Sequence, residues 1–201
     1  MNEASESEIK YIITAEDAAS VIADHKVIKS GEKIITYYED EFGKLSQLRG
    51  TFRRVLKSGA LVDELKTLVS WTTELRQCLE QTSLARVPGV PDALASSDIE
   101  PRLASTVRSL LGCDGDFVLR KAETLRVHRS VIEVPGLDKH IEIDVCHCDD
   151  GEDFYELEYE PSNSADAALA RELLPLKCPS AVESKISKRE RARAHANRSH
   201  S

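Results

Sequence analysis

Three stretches of this chain place acidic residues two apart, the spacing that puts both side chains on one face of a β-strand. Glu6 and Glu8 precede Lys10, Glu142 precedes Asp144, and Glu156, Glu158 and Glu160 follow in the same rhythm. The residues between them are apolar: Ile9, Tyr11 and Ile13, then Ile141, Ile143 and Val145, then Tyr155, Leu157 and Tyr159. Such a strand buries one face and leaves the other to charge. A single strand of this kind normally turns its charged face to water. Here the pattern recurs, and cations alternate on other segments: Arg53 with Lys57, Glu64 with Lys66, and Arg120 with Arg126 and His128. Closed on one another, these faces make an interior lined with both signs of charge. Carboxylates crowded at short range repel and take up protons unless a cation sits among them. Hard oxygen donors without matched imidazoles favour Mg²⁺ or Mn²⁺ over Zn²⁺. The remaining Lys and Arg side chains are then free to hold a polyanion.

The elements that must carry these residues follow from periodicity and punctuation. Residues 6–13 read as a strand, and Thr14 caps a helix to about residue 25, with Asp17 at the capping-box position. A strand at 27–29, a Ser30-Gly31 turn and a strand at 33–38 come next. Ser58-Gly59 is a second hairpin signal, between strands at 51–57 and 60–69. Residues 72–84 read as a helix and 85–98 as a loop. A helix over 99–111 has Ser97 or Asp98 as its cap, and Gly112–Gly115 ends it. Strands are expected at 117–128, 130–134, 140–147 and 153–160, the last two joined through a turn at 149–152. Ser164 caps a helix to about residue 174, where Pro175 stops it. The fold class is therefore α+β, about eight strands in a mainly antiparallel sheet or barrel with flanking helices. The boundaries expected are one domain over 1–176 and a basic tail over 177–201, helical or disordered.

Composition narrows the function classes. In 201 residues, 27 Lys and Arg face 35 Asp and Glu, a net charge of −8. Six of the cations (Lys185, Lys188, Arg189, Arg191, Arg193 and Arg198) lie at the C-terminal end, where only Glu190 opposes them. Residues 1–184 carry 21 positive and 34 negative charges, or −13, which repels phosphate chains, so nucleic acid is not an expected partner of the body. No apolar run is long enough to span a membrane, and Met1–Lys10 lacks the basic and apolar regions of a signal peptide. Five cysteines without framework spacing point to a reduced, cytoplasmic protein.

Taken together, the motifs resemble the CYTH, or triphosphate tunnel metalloenzyme, superfamily. Glu6-Ser7-Glu8-Ile9-Lys10 fits the ExExK signature that opens that family. Tyr37-Tyr38-Glu39-Asp40…Leu45…Gly50-Thr51-Phe52-Arg53 is similar to its YFDT…L…GxxLR stretch, and Glu64-Leu65-Lys66 to its LK strand. Ile141-Glu142-Ile143-Asp144 and Phe154-Tyr155-Glu156-Leu157-Glu158 look like its closing EID…FxELE pair. Order and spacing hold over about residues 6–174. The resemblance implies an eight-stranded antiparallel β tunnel, or barrel, with flanking helices that binds a small triphosphate-bearing substrate. It implies that Glu6, Glu8, Asp144, Glu156 and Glu158 hold Mg²⁺ or Mn²⁺. Lys10, Arg53 and Lys66 would grip phosphate and serve catalysis, and Lys57, Lys121 and Arg126 are further substrate-binding candidates. Metal-activated water would then attack the terminal phosphorus. Three departures stand out: Val55 replaces a second arginine, with Arg54 on the other face of its strand; Glu39-Asp40 replaces Asp-Thr; and Lys121-Ala122-Glu123 replaces KxR.

Other readings of the sequence are narrower. Cys146-His147-Cys148 imitates a metal motif, but alternation separates the histidine from the thiols and no second pair stands at finger spacing. No GxxxxGK[ST] or GxGxxG loop is present. The expected activity is hydrolysis of a triphosphate, with inorganic triphosphate preferred to thiamine or nucleoside triphosphate because no aromatic spacing dictates a stacking pocket. A non-catalytic polyphosphate-binding module is the alternative that Val55 and Glu123 favour. A class IV-like adenylyl cyclase is disfavoured by the lack of a His-Phe pair before Glu6.

Overall fold

Alternation sets the first element. In β1 (Asn2–Ile13), Ile9, Tyr11 and Ile13 are buried, and Thr14 then accepts a hydrogen bond from the Asp17 amide to start α1 (Ala15–Asp24). β2 (Lys26–Glu39) is one strand, where the sequence suggests a turn at Ser30-Gly31. Long-range pairing overrides that local turn chemistry. Lys26 binds Glu133 at 3.0 Å and Ser30 meets His128 at 2.8 Å, so the chain runs straight through the glycine. Asp40 and Glu39 organise the next bend. Asp40 accepts from the Phe42 and Leu45 amides and Glu39 from Ser46, which seats α2 (Lys44–Gln47).

β3 (Gly50–Lys57) and β4 (Ala60–Trp71) form the expected hairpin, and Ser58 and Gly59 both take positive φ. β5 (Arg76–Leu84) corrects the reading of 72–84 as a helix; residues 72–75 lie outside the described residues. Its Leu, Arg, Gln and Glu residues are good helix formers, but that local preference is weak beside pairing with β4 in the sheet. The stretch read as a loop contains β6 (Ala93–Ala95) and a 3₁₀ turn at Ser96–Asp98. α3 (Pro101–Leu111) is capped by Glu100, not Ser97 or Asp98. The Glu100 carboxylate accepts from the Arg102 and Leu103 amides, Pro101 fits the first turn, and Gly112 at φ 62° closes the other end.

β7 (Val118–Glu133) joins what the sequence suggests as two strands. Its register with β8 (Ile141–Cys148) is unbroken from Leu125–Cys148 to Ile132–Ile141. β9 (Asp153–Tyr159) pairs with β8 and again with β1. The turn expected at 149–152 lies outside the described residues. α4 (Ser164–Lys177) is capped by Asn163 rather than Ser164, and it continues past Pro175. Burial of Leu174 and Cys178 in the core holds that last turn together, and the Cys178 amide still reaches the Leu174 carbonyl. β10 (Val182–Glu183) and α5 (Lys188–Arg198) are the last elements among the described residues.

The structure, a computed structural model, describes residues 2–71, 76–148 and 153–198. The sheet order is β10-β1-β5-β4-β3-β2-β7-β8-β9, with β6 on β7, and the β9–β1 pairing closes eight strands into a cycle. This is the mainly antiparallel α+β class with flanking helices. Packing divides the chain into two compact units, one drawn from residues 1–6, 33–69 and 78–124, the other from 7–32, 70–77 and 125–201. In the first, Tyr38, Phe52 and Leu65 pack on Leu103 and Val107 of α3. In the second, Ile9, Tyr11, Ile143 and Leu157 pack on Val21 of α1 and on Ala170 and Leu174 of α4. Each helix layer therefore covers one sheet face and leaves the other to charged residues. No helix of the described residues is long and apolar enough to cross a membrane.

Candidate active site

In the second unit, strand register assembles the charged face. Lys10 lies opposite Glu158, Glu158 opposite Glu142, Glu156 opposite Asp144, and Asp144 opposite Arg129. Two acid–acid pairs facing each other across strands destabilise a sheet unless cations bridge them. Arg129 does so with a fork. Its Nε and a terminal nitrogen reach Asp144 at 2.6 and 2.5 Å, the same nitrogen reaches Glu158 at 2.7 Å, and the other binds Glu142. Lys10 Nζ lies 2.8 Å from Glu158 and 3.9 Å from both Glu8 and Glu156.

Two further cations come from the C-terminal helix. Lys188 Nζ stands 2.6 Å from Asp144, 3.1 Å from Glu158 and 3.2 Å from Glu156. Arg191 Nε donates to Glu156 at 3.0 Å, and its guanidinium lies over the Phe154 ring. Asp144 and Glu156 are wholly buried. Burial pushes the Asp144 carboxyl up, but Lys188 and Arg129 more than offset it, holding that carboxyl below the usual range. Glu158 is lowered likewise, burial being outweighed by Lys10, Lys188 and Arg129. Lys10 and Lys188 are raised, because the facing carboxylates outweigh the burial that disfavours their charge.

The first unit holds a second charged group. Arg53 and Glu64 are register partners on β3 and β4, joined Nε to Oε2 at 2.5 Å. Glu80 of β5 lies 3.6 Å from Arg53 and 3.0 Å from Lys66. Val55 shares the Arg53 face and is buried between its cross-strand neighbours Ile35 and Val62. Arg54 points to the opposite face, as alternation requires, and is buried against Asp63. Glu39 and Asp40, which depart from the family pattern, serve the bend before α2.

Of the residues named from sequence, Glu8, Lys10, Asp144, Glu156 and Glu158 come together in the second unit, and Arg53 and Lys66 share Glu80 in the first. The side chain of Glu6 lies outside the described residues. Lys57 is exposed at the end of β3, opposite Lys33. Lys121 is exposed, and so is Arg126, on the face opposite that of Arg129. His147 turns to Asp153 at 2.9 Å while Cys146 is buried, so the apparent metal motif splits as expected. Sequence reasoning missed Arg129, Glu80 and the docking of Lys188 and Arg191. Arg129 falls between two segments read as separate strands, and only continuous register with β8 puts it opposite Asp144. The Ser187-x-x-Glu190 capping box was the available signal that the basic tail forms a helix.

The oxygen-rich donor set has the chemistry of an Mg²⁺ or Mn²⁺ site. Its geometry does not. Among the described residues no three His, Cys, Asp or Glu side chains are grouped to hold a metal ion, because ammonium and guanidinium groups stand between the carboxylates. A cavity of about 320 Å³ opens onto Glu142 and Glu158, with Lys139, His140 and Glu160 also in its wall.

No protein-family model and no curated protein matches the chain. Solved structures do. A proposed adenylate cyclase from Bacillus halodurans superposes with a TM-score of 0.71 at 15% identity, over 95% of this chain and 98% of that one. A Hippeastrum protein, a proposed adenylyl cyclase reported to have a dominant triphosphatase activity, gives 0.62 at 17% identity over 94% and 95%. A Pyrococcus horikoshii protein gives 0.56 at 13% over 95% and 99%. With its closed cycle of eight strands and charged faces opposite helix-covered ones, the chain shares the fold of these structures.

Proposed function

We propose that this protein is a triphosphatase that cleaves the terminal phosphoanhydride of a small triphosphate. The observation that carries the reading is the cluster of Lys10 and Arg129 among Glu8, Asp144, Glu156 and Glu158. Cations buried beside carboxylates are held in place before any substrate arrives, which lowers the reorganisation needed to stabilise a developing phosphate charge. Arg129 offers a planar fork for phosphate oxygens and Lys10 a compact charge. Arg53 and Lys66 provide further donors once Glu64 and Glu80 release them. Attack of water on the terminal phosphorus breaks the bridging P–O bond, giving orthophosphate and the diphosphate, with charge developing on the departing oxygen. No step is assigned to a divalent ion, since the carboxylates as arranged give it no seat. The Hippeastrum structure supports the same activity class for this fold. Inorganic triphosphate is preferred as substrate.

The test is phosphate release from inorganic triphosphate, thiamine triphosphate and ATP, each with Mg²⁺, with Mn²⁺ and with EDTA, with the ATP reactions checked for cyclic nucleotide. Release from one substrate establishes the triphosphatase. Cyclic nucleotide without phosphate release replaces it with a cyclase. Binding of triphosphate by folded protein without turnover replaces it with the binding module that buried Val55, in place of an arginine, favours.

A further inference from the structure

We propose that Glu80 is an internal competitor for phosphate: its carboxylate stands on Arg53 and Lys66 and weakens every phosphate that binds them by a common factor. The inference rests on the reading that Arg53 and Lys66 grip phosphate.

One oxygen carries the relationship. Glu80 Oε2 lies 3.0 Å from Lys66 Nζ and 3.6 Å from Nη2 of Arg53, so it is shared by the two cations. A phosphate oxygen bound by both side chains would take the same place. Glu64 plays a different part. It is the register partner of Arg53 and engages Nε at 2.5 Å, while Nη2 is the nitrogen that faces Glu80. Burial raises the Glu64 carboxyl, but Arg53, Lys66 and Lys33 outweigh it and hold it below its ordinary range, so that tie stays charged. The Glu80–Arg53 contact, at 3.6 Å, is longer than a hydrogen bond, and it is the one that an incoming anion would replace.

Charge within this group is balanced. Arg53 and Lys66 meet Glu64 and Glu80, two against two. Val55, on the same face as Arg53, adds no further cation. The four side chains are 16 to 22% exposed, so water screens them only in part.

Any phosphate that binds both cations must first separate Glu80 from them. That cost is the same for a triphosphate as for the orthophosphate released from it, so both affinities fall in equal proportion. A triphosphate, with more charge and more oxygens, keeps a useful affinity, whereas orthophosphate does not stay. Glu80 thereby favours product release without touching the reacting atoms.

The test is calorimetric titration of the two product anions, orthophosphate and diphosphate, into the full-length wild type, Glu80→Gln and Glu41→Gln. Glu41 is an exposed carboxylate on the bend before α2 and controls for net charge. Glu80→Gln is expected to tighten both anions by about fivefold or more and by similar factors, as loss of a partly exposed competing ion pair allows. A side chain that only braced Arg53 and Lys66 would do the opposite, because its loss would loosen the anions. Unchanged or weaker binding in Glu80→Gln, or equal tightening in Glu41→Gln, overturns the proposal and leaves a triphosphatase that releases phosphate standing. Tightening in Glu80→Gln without phosphate release from any triphosphate upholds the competition and removes only the triphosphatase. If no chain binds either anion, the phosphate grip falls and this inference with it. Should Glu80→Gln fail to fold by circular dichroism, Glu80→Met is titrated with the same expectations.

Discussion

Arg54 and Asp63 form a two-pronged ion pair on the helix-covered face of the β3–β4 hairpin, Nε to Oδ1 at 2.6 Å and a terminal nitrogen to Oδ2 at 3.0 Å, with both side chains fully buried. The Arg54 guanidinium also donates to the Val87 and Gly89 carbonyls at 3.3 and 3.0 Å, tying the loop before β6 to the hairpin. Removing one partner of such a pair leaves a buried charge uncompensated, at a cost of about 3–5 kcal/mol. Asp63→Asn is expected to lower stability by that amount in urea unfolding at pH 7. Arg54→Met with Asp63→Leu should recover much of the loss, since two apolar groups leave no orphaned charge. A loss below about 1 kcal/mol in Asp63→Asn would show that the pair is not what holds the loop.

Arg53, one residue earlier, lies on the opposite face and contributes differently. Its contacts with Glu64 and Glu80 position a fork that a lysine cannot reproduce. Arg53→Lys is expected to raise KM for triphosphate about tenfold or more with a smaller change in melting temperature. Unchanged kinetics in a chain that hydrolyses triphosphate would take Arg53 out of the substrate grip.

Glu8 stands at the edge of the carboxylate cluster, 3.9 Å from Lys10. Glu8→Gln keeps the shape and removes the charge, so it should abolish turnover while leaving the fold intact by circular dichroism. In the wild type, millimolar Mg²⁺ should leave the melting temperature unchanged, because Lys10, Arg129, Lys188 and Arg191 already occupy the carboxylates. A rise at millimolar Mg²⁺ would show that the ion displaces these cations.

Alkaline pH probes the packing of β1 and β9. Tyr11 is pushed up to about 12 by burial and by Glu183, and Tyr159 to about 12 by burial and its hydrogen bond to Asp166. An unfolded tyrosine ionises near pH 10, so between about 10 and 12 the native state keeps protons that the unfolded state has lost. The stabilisation from these neutral phenols is therefore complete below pH 10 and is lost as pH rises through the folded values. A fall of about 1 kcal/mol or more is expected across that window. Tyr159→Phe should flatten the fall, and a pH-independent melting temperature from 10 to 12 would contradict the assignment.

How much of this was legible in advance differs by residue. Alternation alone separated Glu156 and Glu158 from Leu157 and Tyr159, and put Arg54 behind the face of Arg53. These are consequences of a two-residue period, which any extended backbone imposes on its sequence. The Ser58-Gly59 hairpin and the Thr14 cap were equally readable, because both depend on residues within four positions of one another. The motif order extended that reading to the closed, mainly antiparallel fold.

What remained was set by partners distant in sequence. Ser30-Gly31 has the local chemistry of a turn and became strand interior because Lys26 and Ser30 found Glu133 and His128 about a hundred residues later. Residues 76–84 have helix-forming composition and became β5 because the sheet had a place beside β4. Arg129 acquired its role only through register with Asp144, and the basic tail acquired its own through carboxylates thirty or more residues earlier. Local sequence determines which face a side chain occupies, since backbone geometry has a fixed period. Which opposite charge it meets there depends on long-range pairing, and for Lys188 the tertiary structure decided that the partners were the chain's own carboxylates.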